Sequence, residues 1–346
     1  MAKIIKYCLY MKDYKAILVG NGTMGSRHRA HFEASGVRFT KILDLDGPQW
    51  MRSVVSGTVD FEKVRPDFVV VASPASTHYE YVKFFLERKI PVFVEKPLAT
   101  SAAQARELVE LSEKNDTLLF VAQSECFNPI FLNFRKHFLV DLKNAVKASI
   151  AASDGAGHEP LKVKMEFRRE HGYSERCRDV SVALDLLVHD LSLFLNMFRY
   201  EDLMVVEESA CGCGSSEGHR EGGFCGCGNH EHGNGCGCGN KEKTSLTLKV
   251  LSGEFAGLDA TFVANRNSNR DLRTITVEFD RNGNMSGFDY TVSLARYKPD
   301  GSVDHIPDSL DNEHRFFMKL LAGACKEWGR RSARVAAQIV ELASNC

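Results

Sequence analysis

The chain lacks any uninterrupted run of eighteen apolar residues, which excludes an ordinary transmembrane helix. Its first 15 residues are interrupted by lysines, so their apolar stretch is too short and broken for a secretory signal peptide. Net charge is also nearly absent, since 44 Lys and Arg residues stand against 45 Asp and Glu residues, with no long basic stripe. We therefore expect a cytoplasmic protein that binds neither a membrane nor a nucleic acid.

The order of strand and helix patterns predicts two domains in the 346 residues. Short apolar strands alternate with helical patterns over residues 1–128, which predicts an α/β domain with a parallel sheet. Strand patterns joined by short turns then predict an α+β domain with a mostly antiparallel sheet over residues 129–346. Within it we expect a strand at Ala145–Ala152, a charged loop at Lys162–Arg178 and a long apolar helix at Val182–Phe198.

The first predicted strand ends in a glycine motif that is typical of dinucleotide binding. Gly20, Gly22 and Gly25 form G-x-G-x-x-G, which allows a tight turn, backbone approach to a pyrophosphate and close helix packing. A simple glycine-rich turn is the alternative, but the second strand ends in Asp44, where a carboxylate can bind ribose hydroxyls. Because a carboxylate repels a 2′-phosphate and no basic residue follows before Arg52, NAD is favoured over NADP.

Glu95-Lys96-Pro97 follows the fourth predicted strand at the carboxyl edge of the sheet, where such folds bind ligands. A partly desolvated lysine there can exchange a proton with a substrate hydroxyl. The alternative is an ordinary surface lysine before a loop proline.

Asp185 and His189 are four residues apart and therefore share one face of an apolar helix. Their burial should cost several kcal/mol unless they are paired or take part in chemistry. A helix edge where they only form hydrogen bonds is the alternative.

Taken in order, these motifs resemble the Gfo/Idh/MocA family, the glucose–fructose oxidoreductase and inositol dehydrogenase group. The resemblance implies that the first domain is a Rossmann fold and that one sheet face of the second domain forms the substrate site. It also implies a homo-oligomer that pairs through the open sheet face, and it places the crossing between domains at Phe127-Asn128-Pro129. The candidate catalytic residues are Lys96, Asp185 and His189. The candidate cofactor residues are Gly20, Gly22, Thr23, Met24, Gly25, Asp44, Ser73, Pro74, His78, Glu95 and Lys96.

Two positions depart from the family pattern. Leu187 stands where the family often has glycine, and Ala75 stands where it often has asparagine. Both changes lie near the predicted site, so they leave the substrate class open.

We expect an NAD-dependent oxidoreductase that transfers hydride between the nicotinamide and a hydroxyl or carbonyl carbon of a sugar, cyclitol or nucleotide sugar. Either Lys96 or His189 takes the hydroxyl proton, and Asp185 orients or supports them. One alternative is a catalytically silent NAD-binding sensor or scaffold protein with the same fold. Another is a metal-handling protein built on a dehydrogenase frame.

That last alternative depends on an insertion at 211–240, which holds six of the eleven cysteines. A secreted disulfide scaffold would spread its cysteines through a short chain instead. A flexible glycine-rich loop is the simpler interpretation, whereas paired thiolates suit zinc or Cu(I). The candidate metal ligands are Cys211, Cys213, Cys225, Cys227, Cys236 and Cys238.

Overall fold

The structure is a computed structural model that describes residues 13–151, 162–172, 179–209, 242–280, 290–297, 303–304 and 308–344. The chain divides into two compact units. Unit 1 comprises Met1–Asn133, Leu191–Tyr200 and His305–Ser344, and unit 2 comprises Phe134–Asp190 and Glu201–Asp304 together with residues 345–346. Residues His305–Ser344, near the end of the chain, are therefore part of the first unit, and the sequence-based division at residue 128 stays a prediction.

Unit 1 contains a parallel sheet of five strands in the order β2-β1-β3-β4-β5, as the sequence predicts. The central strand Phe68–Val71 and the edge strand Leu119–Ala122 are buried along their whole length, which is typical of a parallel sheet covered by helices on both faces. Because β1 lies between β2 and β3, the order reverses beside β1, and ligands bind at such a point. The strands are β1 (Lys15–Val19), β2 (Arg38–Leu43), β3 (Phe68–Val71), β4 (Val92–Glu95) and β5 (Leu119–Ala122).

The helices of unit 1 come from both ends of the chain. The helix Ala102–Lys114 begins after Ser101, whose side chain accepts a hydrogen bond from the Gln104 amide at 3.3 Å. The helices are α1 (Thr23–Ala34), α2 (Gly47–Val55), α3 (Phe61–Val64), α4 (His78–Glu87), α5 (Ala102–Lys114), α8 (Asp308–Leu321) and α9 (Lys326–Ser344).

Helix α8 contributes directly to the core beneath the parallel sheet. The Phe317 ring lies 5.1 Å from that of Phe68 and 5.2 Å from that of Phe93, between ring centroids. Phe32 of α1 and Phe120 of β5 belong to the same buried cluster. Helix α9 packs against α5 and β5. The closing helices thus complete the hydrophobic core of the first unit.

Unit 2 contains a six-stranded sheet in the order β11-β10-β6-β9-β8-β7. Every neighbouring pair is antiparallel except β6 and β9, so the prediction of a mostly antiparallel sheet is confirmed. Buried and partly exposed residues alternate along β8, which places the core on one face of this sheet. The strands are β6 (Lys162–Glu170), β7 (Leu203–Ser209), β8 (Lys243–Val250), β9 (Leu258–Asn265), β10 (Leu272–Asp280) and β11 (Tyr290–Ser293), with a separate short pair β12 (Arg296–Tyr297) and β13 (Val303–Asp304).

Two local predictions in this region are wrong. Ala145–Ala152 is not a strand, because residues up to Ala151 belong to α6 (Pro129–Ala151), which begins at a proline suited to a first helical turn. Lys162–Arg178 is not one loop, because Lys162–Glu170 forms β6 near the centre of the sheet. Its charged residues alternate with buried Val163, Met165 and Phe167, a period of two that the charge content obscures.

The predicted apolar helix at Val182–Phe198 is present but begins irregularly. Residues Ala183–Leu187 form a π-helical turn, and α7 (Val188–Leu195) continues from it. Such turns insert one extra residue and are frequent at functional sites. No helix among the described residues meets the length and apolarity that a membrane span requires.

Candidate functional site

The glycine motif forms a tight connection between β1 and α1. Gly20 has a φ of +84°, and a Cβ there would lie 2.6 Å from the Ala72 carbonyl oxygen. Only glycine fits this conformation and this approach to the strand beside it. Gly25 faces the Gly20 carbonyl so closely that a side chain would collide with it. Both glycines therefore allow the helix to begin directly against the sheet.

The middle glycine leaves the start of α1 open. Gly22 is the N-cap of the helix and provides no side-chain cap, and a Cβ there would meet no atom within 4 Å. The amides of the first turn, at Thr23 and Met24, therefore face an unobstructed approach. Such a helix start binds anions through its amide donors and its partial positive charge. These residues fit the pyrophosphate of a dinucleotide.

Asp44 lies exposed directly after β2, beside the glycine motif. Its backbone amide donates a hydrogen bond to the Asp46 carboxylate at 2.9 Å, so the turn carries two carboxylates. Both carboxylates act on Tyr81, whose phenol pKa is raised by burial first and by these two charges in addition. The local field is therefore negative, which suits ribose hydroxyls better than an additional phosphate.

His78 connects the loops that follow β3 and β4. It is fully buried, and its two ring nitrogens lie 2.9 Å from the Ser73 carbonyl oxygen and 2.8 Å from the Pro97 carbonyl oxygen. The Ser73 hydroxyl in turn forms a hydrogen bond of 2.7 Å with Thr77. The structure thus gives His78 a bracing position, whereas a direct contact of Ser73, Pro74 or His78 with a cofactor stays a prediction.

Glu95 and Lys96 lie at the carboxyl end of β4, in a partly buried position rather than on an open surface. One Glu95 oxygen lies 2.6 Å from His28 Nε2, and the other accepts the Lys96 backbone N–H at 3.1 Å. His28 Nδ1 lies 2.9 Å from His314 Nε2. The simple surface-lysine interpretation does not describe this arrangement, because the lysine follows a carboxylate held by a buried histidine pair.

Two carboxyl groups near this pair have shifted pKa values. Burial alone would raise the pKa of Glu95, but the hydrogen bond and charge of His28, with the charges of Lys96 and His78, lower it overall. Burial and the nearby Glu95 charge raise the pKa of Glu313 well above its usual range. The ionised form is therefore favoured at Glu95 and the neutral form at Glu313.

Asp185 lies in the π-helical turn of unit 2 and is buried. A carboxylate oxygen lies 3.9 Å from Arg266 Nη1, and Arg266 is also buried and contacts Glu242 at 3.3 Å. A cation beside the buried carboxylate offsets part of its desolvation cost. His189 is half-buried one turn further along, in α7. The two residues share one irregular helix, as their spacing predicts.

Sequence reasoning missed the residues that contact Asp185 and Glu95. Arg266 and the neighbouring buried pair of Arg169 with Asp190, at 2.9 Å, carry no recognisable motif. His28 has a weak signal, since it lies in α1 shortly after the glycine motif. His314 has none, because it is separated from His28 by 286 residues.

The proposed metal ligands in 211–240 lie outside the described residues. Within the part of the chain that the structure describes, no group of three or more His, Cys, Asp or Glu side chains could hold a metal ion. Two cysteines lie in the described part of the chain, the partly buried Cys126 and the exposed Cys325.

The fold and the glycine motif define unit 1 as a dinucleotide-binding Rossmann domain. Residues 14–123 match the family model described as an oxidoreductase family with an NAD-binding Rossmann fold. Over these residues the chain is similar to the Gfo/Idh/MocA family of oxidoreductases.

Curated relatives include two inositol 2-dehydrogenases. The protein from Rubrobacter xylanophilus is 41% identical over 27% of this chain and 30% of its own length. That from Acidothermus cellulolyticus is 30% identical over 53% of each chain. The chain therefore spans about half or less of the length of these relatives.

Solved structures show the same fold over nearly the whole chain. UDP-N-acetylglucosamine 3-dehydrogenase from Acidithiobacillus ferrooxidans aligns over 95% of this chain and 97% of its own, with a TM-score of 0.57 and 16% identity. A putative myo-inositol dehydrogenase from Sinorhizobium meliloti aligns over 95% of each chain, with a TM-score of 0.58 and 15% identity.

Proposed function

We propose that the protein is an NAD-dependent dehydrogenase that acts on a hydroxyl-bearing carbon of a small polyhydroxylated substrate. The observation that carries the proposal is the shared edge of the parallel sheet in unit 1. An open glycine turn, the carboxylate of Asp44 and the lysine of the Glu95-Lys96 pair all follow carboxyl ends of its strands. Ligands of open α/β sheets bind at that edge.

The cofactor site in this proposal uses backbone groups for the phosphates and Asp44 for the ribose. The amides at the start of α1 bind the pyrophosphate, and the Asp44 carboxylate accepts hydrogen bonds from the ribose hydroxyls of the adenosine half. NAD supplies a hydride acceptor when it is bound. The negative turn around Asp44 and Asp46 favours NAD over NADP.

Proton transfer is assigned to Lys96 or His189, in accordance with the family resemblance. The neutral amine of Lys96 or the His189 ring accepts the hydroxyl proton of the substrate, and Asp185 supports the positive charge that this transfer creates. Arg266 holds Asp185 in place, so the carboxylate keeps a fixed orientation. The substrate class follows from the names of the relatives, inositol dehydrogenases and a nucleotide-sugar dehydrogenase, whose substrates carry ring hydroxyls. A homo-oligomer through the unit 2 sheet remains part of the proposal.

A screen for reduced nicotinamide with inositols, sugars and nucleotide sugars tests the proposal. Lys96→Met, Asp185→Ala and His189→Ala should each lower turnover about 10²–10⁴-fold and leave NAD affinity largely intact. Lys114→Met is the matched control, since Lys114 is exposed at the end of α5.

NAD binding without turnover on any member of the panel would contradict the dehydrogenase proposal and support the silent sensor instead. Full activity of the Lys96→Met variant would remove the lysine from the mechanism.

A further inference from the structure

A continuous row of hydrogen-bonding groups crosses the interior of unit 1 beneath the Glu95-Lys96 pair. It begins at the Leu310 carbonyl oxygen, which contacts His314 Nδ1. His314 Nε2 lies 2.9 Å from His28 Nδ1, and His28 Nε2 lies 2.6 Å from Glu95. Glu95 then accepts the backbone N–H of Lys96. His28 and His314 are both fully buried.

The chemistry of these groups determines where the protons lie. A carbonyl oxygen only accepts hydrogen bonds, so His314 carries a proton on Nδ1 to donate to Leu310. Burial lowers the pKa of His314 to about 3, with further lowering by the charges of His28 and His31 against the bond to Leu310. His314 is therefore neutral, and its bare Nε2 accepts a hydrogen bond from His28 Nδ1–H.

One proton remains to be placed between His28 Nε2 and Glu95. Glu95 already accepts a hydrogen bond from Lys96, which favours its carboxylate form. Its pKa is lowered overall, because the interactions with His28, Lys96 and His78 outweigh the effect of burial. In the 2.6 Å contact, His28 Nε2–H therefore donates and the Glu95 carboxylate accepts.

The remaining ionisable neighbours do not disturb this arrangement. Glu313 precedes His314 on α8 and is fully buried, and its raised pKa favours the neutral form, which adds no second negative charge beside Glu95. His31 lies one turn after His28 on α1, and its ring stacks on His314 with 5.1 Å between centroids. The rings of Phe32 and Phe93 lie against His314 on other sides, at 4.3 Å and 5.4 Å.

We propose that His28 and His314 are positioning residues for Lys96: His314 fixes the tautomer of His28, and His28 holds Glu95 as an oriented carboxylate. This proposal rests on the proposed dehydrogenase function, because Lys96 is the group that benefits. Without the hydrogen bond from His28, Glu95 takes up a proton or draws the Lys96 ammonium onto itself. Either change moves the lysine away from the geometry in which it can exchange a proton with substrate.

The first test measures the protonation of the histidine ring nitrogens directly and needs no turnover. Nitrogen-15 NMR of histidine-labelled protein at pH 7 should show both ring nitrogens of one residue protonated, and this signal should vanish in His28→Gln. A second ring should be protonated on Nδ1 alone, should keep that form down to about pH 5, and should vanish in His314→Gln. A His28 ring with one bare nitrogen, or a His314 ring that becomes charged near pH 6.5, would overturn the proposal.

The second test separates positioning from general damage to the fold. His28→Gln keeps a donor to Glu95 without a charge, and we expect it to lower kcat about ten- to a hundredfold, with KM for NAD within about twofold. His314→Gln supplies one acceptor and one donor, so its kcat should fall less than that of His314→Phe, which supplies neither. His31→Gln is the matched control, because His31 touches the same ring outside the row of hydrogen bonds, and it should stay within about twofold.

The two tests distinguish failure of this inference from failure of the proposed function. If the wild-type protein turns over no substrate, the dehydrogenase proposal fails, while the NMR pattern still decides the protonation of the row. If Lys96→Met abolishes turnover but His28→Gln and His31→Gln behave alike, the dehydrogenase proposal stands and the positioning role is refuted.

Discussion

Replacement of His314 by glutamine should remove part of the acid sensitivity of unit 1. His314 is 1% exposed, and its folded-state pKa is about 3 against an ordinary value of 6.5. Between these two values the unfolded chain binds a proton that the folded chain cannot bind. The stability that depends on neutral His314 is therefore fully present above about pH 6.5 and decreases as the pH falls towards 3.

The slope of this loss is about 1.4 kcal/mol per pH unit for one group. Between pH 7.5 and pH 4.5, His314 should therefore cost the wild-type protein about 2.7 kcal/mol of unfolding free energy. Glutamine does not titrate, and its amide can accept from His28 and donate to the Leu310 carbonyl. The difference in unfolding free energy between His314→Gln and wild type should therefore shift by about 2.7 kcal/mol in favour of the variant when the pH falls from 7.5 to 4.5.

Urea unfolding followed by tryptophan fluorescence measures this difference in the relevant unit. Both tryptophans, Trp50 and Trp328, belong to unit 1, and the Trp328 ring lies 4.4 Å from Phe316 on the helix of His314. His137→Gln is the control, since His137 is exposed. The reasoning is refuted if His314→Gln and wild type lose stability in parallel over this pH range, or if His137→Gln shows the same recovery.

Three further outcomes are expected. The wild-type protein should bind NAD about ten- to a hundredfold more tightly than NADP, and Asp44→Ala should narrow this preference. Binding titrations that show NADP preferred by the wild-type protein would contradict the assignment. Glu313→Gln should gain stability relative to wild type as the pH rises above about 4.5. The raised pKa of Glu313 means that its contribution to the unfolding free energy is full below that pH and becomes smaller above it. Urea unfolding at pH 5 and pH 8 measures this difference, with the exposed Glu110→Gln as control. Replacement of 211–240 by a short Gly-Ser turn should abolish any zinc uptake and leave turnover within about threefold, and a loss of activity that zinc rescues only in the full-length protein would make the segment part of the active machinery.

The nucleotide half of the fold is predictable because its signals are local. Each buried parallel strand is a short apolar run, and the glycine motif requires its conformation at Gly20, where the φ is positive and a side chain would meet the next strand. The second half is less predictable. The charged residues of Lys162–Glu170 suggested a loop, and only their alternation with buried residues shows a strand.

The candidate site was predictable as residue types and not as a network. Lys96, Asp185 and His189 have recognisable spacing or context, but their partners come from distant parts of the chain. Asp185 lies beside Arg266, which a different strand region supplies, and His28 meets His314 across 286 residues. No period or local motif encodes such contacts, because they arise only when helices pack on a completed sheet.

The return of the chain to unit 1 gives the contact between His28 and His314 its physical origin. Phe317 fills the core between Phe68 and Phe93, so α8 is fixed by hydrophobic burial. That burial carries His314 to within hydrogen-bond distance of His28, on the helix that begins at the glycine motif. One packing event near the end of the sequence thus determines both the completeness of the nucleotide-binding core and the charge state of Glu95 beside Lys96. A chain cut after the predicted boundary at residue 128 would keep every recognisable cofactor motif and lose both.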